Sequence, residues 1–282
     1  MIDLHTHTTA SDGTLSPTEL VRLAKNKMLE ALAVTDHDTI DGIAEALAAA
    51  ALATIEVVPG IEISAEYTGA TLHILGYYID ATDEQFSSKI AELQNARAER
   101  NPKIIKKLQE LGLCIEMEDV IAEAGGGLIG RPHFAQALIK KGYVKTAQEA
   151  FERYLAKGAP AYCEKFRFPP RGAIELIQQA GGIAVLAHPS SLRSRDADDL
   201  EKTLRTMVGY GISGIEAYYS DHTPEQTRWY CELAAKYNLL ITGGSDFHGP
   251  AINGICLGSG RGNLSVPYQC LAALKQKIST QR

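Results

Sequence analysis

The sequence predicts an α/β fold, either a (β/α) barrel or a doubly wound sheet. Three observations point there. Short apolar runs of strand length alternate with segments of helical periodicity. The apolar runs end in polar residues of metal-ligating type, the arrangement that builds active sites at the C-terminal strand ends of barrels. The chain has 282 residues, 45% of them hydrophobic, enough for one large core.

Ile2-Asp3-Leu4 reads as the start of a buried strand, with His5 and His7 at its end. Positions i and i+2 of a strand share a face, so two imidazoles there can chelate one ion. Asp12 lies in a Ser-Asp-Gly turn, from which a short carboxylate reaches back toward the same cleft. Pro17 to Lys27 reads as a helix, with Ser16 as N-cap and Glu19 completing a capping box. The strand Ala31–Thr35 ends in Asp36-His37-Asp38-Thr39, and an Ala-rich helix follows over Asp41–Ala53. The apolar run from Ile55 to Ile63, interrupted by Pro59-Gly60, delivers Glu62 at its end. A strand over Thr71–Ile79 carries His73.

From Asp83 to Cys163 helical periodicity dominates: Phe86, Ile90, Leu93, then Ile104, Ile105, Leu108, then Phe134, Leu138, Ile139. About 80 residues without a strand read as a helical insertion over the barrel mouth. The alternation resumes at Arg171 with a helix stopped at Gly181-Gly182. The strand Ile183–Ala187 ends in His188-Pro189, and a helix covers about Ala197–Val208. The strand Gly214–Ala217 leads to His222, and Pro224 starts a helix to Tyr237. The strand Leu239–Thr242 ends in Gly243-Gly244-Ser245-Asp246-Phe247-His248, and the tail holds a last strand and a helix near Tyr268–Ile278. The expected division is a barrel over 1–82 and 164–282 with the insertion at 83–163.

Composition narrows the function. The net charge of −6, without a basic block, disfavours duplex DNA as a partner. No apolar run approaches the roughly 18 residues of a membrane span, and the first residues lack the pattern of a secretory signal, so no membrane partner and a cytoplasmic location are expected. Cys114, Cys163, Cys231, Cys256 and Cys270 form no CxxC pair and are expected to be reduced, mostly buried thiols. Gly125-Gly126-Gly127 lacks the Gly-Lys-Ser/Thr of a P-loop and reads as a flexible loop.

Nine candidate ligands accompany the strands: His5, His7, Asp12, His37, Glu62, His73, His188, Asp246 and His248. Nitrogen and carboxylate donors without thiolate suit Mn²⁺, Fe²⁺ or Zn²⁺. Nine exceed the three or four that one catalytic ion takes, so two or three ions with bridging groups are expected. Ions about 3.5–4 Å apart suit in-line attack on phosphorus, because they stabilise both attacking and leaving oxygens. Gly130-Arg131-Pro132-His133 opens a helical pattern, where a helix N-terminus and an Arg favour phosphate. Arg131, His133 and His222 are therefore candidate phosphate contacts, whereas Lys157, Lys165 and Arg167 are left without a role.

Seven stretches together resemble the polymerase and histidinol phosphatase (PHP) family: Asp3-Leu4-His5-Thr6-His7 with Ser11-Asp12-Gly13, Val34-Thr35-Asp36-His37-Asp38, Gly60-Ile61-Glu62-Ile63-Ser64, His73-Ile74-Leu75-Gly76-Tyr77, Ala187-His188-Pro189, Gly214-Ile215-Glu216 and Gly244-Ser245-Asp246-Phe247-His248. The resemblance implies a distorted seven-stranded (β/α) barrel, three divalent ions (Mn²⁺ first, with Fe²⁺, Zn²⁺ or Mg²⁺ as alternatives) and phosphoester hydrolysis. Asp12 and Arg131-Pro132-His133 resemble the stand-alone subgroup of nucleotide phosphatases and 5′-to-3′ exoribonucleases. That subgroup implies nucleoside 3′,5′-bisphosphates or short 5′-phosphorylated RNA as substrates; separately, a monomer is expected, although the sequence itself does not reveal oligomeric state. The implied ligand sets are His5, His7 and Asp246; His73 and His188; and Asp12, His37 and His248, with Glu62 bridging the first two. Glu62, Asp246, Arg131 and His222 are the expected catalytic residues, Arg131 for the developing charge and His222 for the leaving oxygen. Histidinol phosphate hydrolysis and a non-catalytic metal-binding module are the competing readings.

Overall fold

The computed structural model describes residues 1–67, 72–192, 194, 196–250, 252 and 254–281. Seven strands form one sheet in chain order: β1 (Ile2–Asp3), β2 (Ala31–Val34), β3 (Glu56–Ala65), β4 (Leu72–Tyr77), β5 (Ile183–Leu186), β6 (Gly214–Tyr219) and β7 (Leu240–Gly244). The last strand returns beside the first: Leu4 N–H donates to Gly243 O (3.1 Å) and Asp246 N–H to His5 O (2.9 Å). The sheet is thus nearly closed into a barrel. All pairings are parallel except those of β4, which is antiparallel to both β3 and β5. The short β3–β4 connection permits only that direction, since a parallel return needs a long crossover. His73 therefore lies near the start of its strand, yet reaches the barrel end where the other strands finish. Thr71, expected to open β4, lies outside the described residues.

Ten helices accompany the strands among the described residues. They are α1 (Pro17–Asn26), α2 (Ile43–Ala53), α3 (Glu84–Glu110), α4 (Met117–Ala124), α5 (Arg131–Lys140), α6 (Ala147–Ala150), α7 (Pro170–Gln179), α8 (Ala197–Gly209), α9 (Pro224–Lys236) and α10 (Tyr268–Gln281). The capping box of α1 forms as its sequence requires: Glu19 N–H donates to Ser16 Oγ (3.2 Å) and Ser16 N–H to Glu19 Oε2 (2.8 Å). Helices α3 to α6 and a π-helical turn over Phe151–Leu155 follow β4 without a strand between them. Ile104, Leu108, Phe134, Leu138 and Leu155 form a separate apolar cluster there.

Strand alternation decides what faces inward. Ile2, Ala31, Ala33, Val58, Leu75, Tyr77, Ile183 and Val185 meet in one buried cluster, with Leu271 and Leu274 of α10 packed against them. The register pairs Glu62 with Leu75, Ser64 with His73 and Glu216 with Thr242. Because cross-strand partners share a face, Glu62 points to the same interior as Leu75.

Five expectations change. The Pro59-Gly60 pair does not interrupt β3; it marks where the strand exchanges parallel pairing with β2 for antiparallel pairing with β4. Glu62 accordingly lies within β3 rather than after it. In place of the last strand, the described residues of the tail hold two isolated bridges, Ile2 with Val266 and Cys256 with Gly260. Cys114 and Cys256 are exposed and Cys270 alone is buried, with all five thiols free. The Gly125–Gly127 loop is docked: Leu128 N–H donates to Ala10 O (2.9 Å), and a Cβ on Gly127 would lie 1.7 Å from Thr9 O.

Candidate metal centre

Strand β1 ends at Asp3, so His5 and His7 lie beyond it rather than on it. The Asp3 carboxylate anchors this exit, accepting from Ser245 N–H (2.8 Å), Ser245 Oγ–H (2.5 Å) and Gly258 N–H (2.8 Å). Those bonds bring the loop carrying Asp246 against His5. Gly244 permits the approach, since a Cβ there would lie 2.3 Å from His5 N. Asp36 does the same for the Asp12 loop: it accepts from Thr8 N–H (2.7 Å), Thr8 Oγ1–H (2.7 Å) and Ser11 Oγ–H (2.6 Å). Asp246 takes left-handed backbone geometry (φ 58°), which costs a non-glycine residue about 1–3 kcal/mol and is sustained by its surroundings.

All nine candidate ligands converge, with Glu62 at the centre. Glu62 Oε2 lies 3.3 Å from His5 Nε2, 3.4 Å from His7 Nε2 and 2.9 Å from His37 Nδ1. Its Oε1 lies 2.7 Å from His73 Nδ1 and 2.9 Å from His188 Nε2. Asp246 Oδ1 is 3.0 Å from His7 Nε2 and 3.4 Å from His5 Nε2. Asp12 Oδ1 is 3.3 Å from His248 Nε2, and the His7 and His248 rings stack at 4.1 Å. Among the described residues, three groups have one donor atom each within 4.8 Å of the others: His5, His7, Glu62 and Asp246; His7, Asp12, His37 and His248; and His37, Glu62 and His73. The first two contain the ligand sets the resemblance implies. The third places His37 beside Glu62 and His73, so His37 stands between two groups.

The donor set fits divalent ions. Buried polar atoms are nearly always hydrogen-bonded, yet His5 Nε2, both ring nitrogens of His7, Asp12 Oδ1, His37 Nδ1, Glu62 Oε2 and Asp246 Oδ1 have no hydrogen-bond partner. Seven orphaned polar atoms from six of the candidate ligands gather here, the arrangement that a cation satisfies. The electrostatics agree. Burial alone would raise the pKa of Glu62, but His37, His73 and His5 outweigh it and hold it well below the usual carboxylate range. Burial, His248 and His37 push His7 down to about 3, and burial takes His73 to about 4 against the pull of Glu62. These two rings are neutral donors.

Glu216 supports two candidate ligands from behind. His5 Nδ1 donates to Glu216 Oε1 (2.9 Å), which fixes the tautomer and turns the Nε2 lone pair toward Glu62 and Asp246. His188 N–H donates to Glu216 Oε2 (2.7 Å). Carboxylates in this position typically sustain about ten- to hundredfold in ion affinity. Glu216→Gln should therefore weaken Mn²⁺ binding by roughly that factor, measured by competition with a chelator; unchanged affinity would reduce Glu216 to a packing residue. Tyr219 also belongs to this outer layer, its hydroxyl donating to Asp246 Oδ2 (2.9 Å). In the sequence Glu216 appeared only in the Gly214-Ile215-Glu216 stretch of the family resemblance, without a role of its own.

The sequence profile described as the PHP domain matches residues 3–164, more than half of the chain. The chain belongs to the PHP family. Among PHP relatives, a 5′-3′ exoribonuclease of Haemophilus influenzae is 36% identical over 248 residues, which cover 88% of this chain and 90% of that protein. A 3′,5′-nucleoside bisphosphate phosphatase of Chromobacterium violaceum is 32% identical over 254 residues, 90% of this chain and 89% of that protein. A solved structure from Bifidobacterium adolescentis, described as a metal-dependent phosphoesterase, superposes with a TM-score of 0.87 at 30% identity, covering 98% of this chain and 96% of that one. This PHP protein is a metal-dependent phosphoester hydrolase.

The three expected phosphate contacts of the PHP chain are placed differently from the ligands. Arg131 is the first residue of α5, but its Nη1 donates to Leu155 O (3.1 Å) and its guanidinium lies 5.7 Å from the Phe151 ring and 5.4 Å from the Tyr162 ring. His133 Nδ1 accepts from Gly130 N–H (3.0 Å), capping its own helix and leaving only Nε2 for other partners. His222 is 5% exposed; its Nδ1 donates to Ala217 O (2.9 Å), so its buried, unpaired Nε2 is an acceptor. Burial lowers the pKa of His222, which keeps the ring neutral.

A group of cations to which the sequence-based reading gave no role adjoins the centre. Asp38, the residue after His37, accepts from Arg97 Nη2 (2.5 Å), Arg97 Nε (3.1 Å) and Lys165 Nζ (2.7 Å). Its Oδ1 accepts from Ser64 N–H (2.7 Å). Lys165, left without a role above, is thus a buried ion-pair partner; burial brings its pKa down to about 7 against the pull of Asp38. Arg100 and Arg167 lie near enough to act on the same charges.

Proposed function

We propose that this PHP enzyme hydrolyses phosphate esters of nucleotides, removing the 3′-phosphate of nucleoside 3′,5′-bisphosphates and acting on short 5′-phosphorylated RNA. The observation that carries the proposal is the convergence of five imidazoles on Glu62 within 3.4 Å. Relatives named for nucleoside bisphosphate and RNA substrates support the nucleotide class. The proposed centre holds three divalent ions, Mn²⁺ first. His5, His7 and Asp246 hold one; His73 and His188 hold a second; Asp12, His37 and His248 hold a third; Glu62 bridges the first two. When bound, such ions activate water and stabilise attacking and leaving oxygens.

The chain's own residues supply the rest. Glu216 orients His5, and Asp36 holds the Asp12 loop in place. Residues 83–163 form the insertion subdomain, and their cations draw the anionic substrate toward the centre. Phe166, 49% exposed between Lys165 and Arg167, packs edge-on against Phe168 and offers a face to a nucleobase. Arg131 and His133 line the approach for phosphate. His222 carries the proton for the leaving oxygen, and its Nε2 must first accept that proton.

His222→Asn should then cost roughly a hundredfold in kcat/KM on a natural nucleotide and much less on an activated nitrophenyl ester, whose leaving group needs little protonation. Equal losses on both would recast His222 as a phosphate contact. Proton competition gives the pH dependence. Burial opposes the charge on His248, but Asp12 and Asp246 raise its pKa from 6.5 to about 10. In the ion-free protein that charge contributes stability in full below about pH 6.5 and loses it as pH rises through about 10. A cation must expel the proton, so Mn²⁺ affinity should climb with pH by up to about tenfold per unit in this window. Calorimetric titrations in buffers of different ionisation enthalpy read the release; none, with pH-independent affinity, would remove His248 from the ligand set.

The functional test is a panel of 3′,5′-bisphosphates, 5′-monophosphates, histidinol phosphate and short 5′-phosphorylated RNA with Mn²⁺, analysed for the bond broken. Turnover confined to histidinol phosphate would sink the nucleotide reading. Helix length adds one limit: among the described residues, no helix is long and apolar enough to cross a membrane.

A further inference from the structure

Helix α2 reads Ile-Ala-Glu-Ala-Leu-Ala-Ala-Ala-Ala-Leu-Ala, and Glu45 is its only polar side chain. A helix that is apolar all round is ordinarily buried, because a solvent-facing stripe is normally polar. Here one side of α2 is covered. Ile43, Ala46 and Ala50 are buried, and Ala49 and Ala53 pack against the cluster that holds Leu20, Val21 and Ala24 of α1. Ala44, Leu47, Ala48, Ala51 and Leu52 are exposed, Leu47 at 41% and Leu52 at 90%. At about 100° per residue these five fall within an arc of about 140°, so they form one continuous apolar face.

The β3–β4 hairpin accounts for the missing cover. In a (β/α) barrel each strand is followed by a helix of the outer ring, but residues 66–71 alone join β3 to β4. The ring therefore lacks the member that would follow α2 in chain order. The charges around the face have a direction. Thr18 N–H donates to Glu45 Oε1 (3.0 Å) at one end of the helix pair and Lys25 Nζ to Thr54 O (3.2 Å) at the other, so α1 and α2 lie side by side in the same sense. Glu19 and Glu45 lie in the first turns, with Asp41 just ahead of α2, whereas Lys25 and Lys27 end α1. Met28, 84% exposed, follows them. The surface is thus acidic at one end, basic at the other and apolar between. A second copy reversed end to end sets acidic on basic and apolar on apolar, and opposes the two helix dipoles.

We infer that α2 is the centre of a two-fold interface with a second copy of this chain, in place of the expected monomer. With the axis across the middle of α2, near Ala48, Leu52 of each copy lies over the small Ala44 of the other, and Lys25 meets Asp41. Helix α2 starts just after the loop that carries His37, so its reversal turns the two candidate metal centres in opposite directions and leaves both open. Eleven residues at a rise of about 1.5 Å make the contact about 16 Å long. That is at the small end of protein interfaces, and a Kd of about 10–100 μM is expected.

Sedimentation velocity of the full chain over about 1–300 μM tests it by mass action. Wild type should pass from monomer to dimer across that range. Leu52→Glu, which would bury an unpaired charge, should weaken association by about tenfold or more. Lys25→Glu and Asp41→Lys should each weaken it too, since each sets like charges against one another across the two-fold. Circular dichroism and kcat should stay at the wild-type level in all three. The double variant Lys25→Glu with Asp41→Lys should recover the dimer, because the exchanged charges meet again; only a face that pairs with itself gives that recovery. Wild type that stays monomeric at the highest concentration overturns the inference. So does a dimer that Leu52→Glu leaves intact or that the double variant fails to restore. Cosedimentation of monomeric wild type with phosphatidylcholine vesicles, lost in Leu52→Glu, would overturn it in favour of a lipid surface.

Discussion

Glu62→Gln is expected to lower kcat by about a thousandfold or more and to strip ions from the centre. Glu62 is fully buried, and its two oxygens face His5, His7, His37, His73 and His188. No other carboxylate among the described residues meets as many imidazoles. Glutamine keeps the shape but loses the charge, and it turns an amide donor toward ring nitrogens that lack a cation. The loss therefore falls on ion occupancy and on turnover together. Elemental analysis beside steady-state rates checks it, with circular dichroism confirming the fold. Near-normal turnover at normal ion content would show that Glu62 is structural and that the ligand division is wrong.

The second large effect is on stability. Asp38→Asn should destabilise the fold by about 3–5 kcal/mol, a melting decrease of roughly 10 °C. The side chains of Asp38, Lys165 and Arg97 are 0%, 3% and 10% exposed, so solvent screens this network little. Asparagine can keep the bond from Ser64 N–H but leaves two buried cations without their carboxylate. Asp38 also holds a left-handed backbone (φ 52°), which asparagine tolerates, so backbone strain adds little to the change. Lys165→Met in the Asp38→Asn background should restore part of the loss, because it removes one of the uncompensated charges. A melting temperature within a degree or two of wild type would mean that water or a bound ion already screens the cluster.

Strand and helix positions were legible because each rests on local chemistry. The Ser16–Glu19 box, the apolar stripe of α1 and the short runs at Ala31 and Ile183 carry their own signals. The nine candidate ligands could be picked out for a related reason: a His or carboxylate on or just after a buried strand has few structural uses. The direction of β4 was not legible, since the same six-residue strand serves in either sense and only pairing with β3 and β5 decides it. Arg131 was legible as a cation at a helix start, but its partners Leu155 O, Phe151 and Tyr162 come from across the fold and were not.

Periodicity and the order of polar residues along the chain thus carried the α/β class and the candidate ligand set, and the resemblance to the PHP family carried the ion-dependent hydrolysis. Folding alone assigned partners to charges. Lys165 and Asp38 are 127 residues apart, and Glu216 and His5 are 211 apart. Nothing in the neighbourhood of either member of these pairs announces the other. Coulomb energy and desolvation depend on distance and burial in space, so whether a lysine is a solvated surface charge or a buried ion-pair partner is settled only when the sheet closes and the helical segment lies against it.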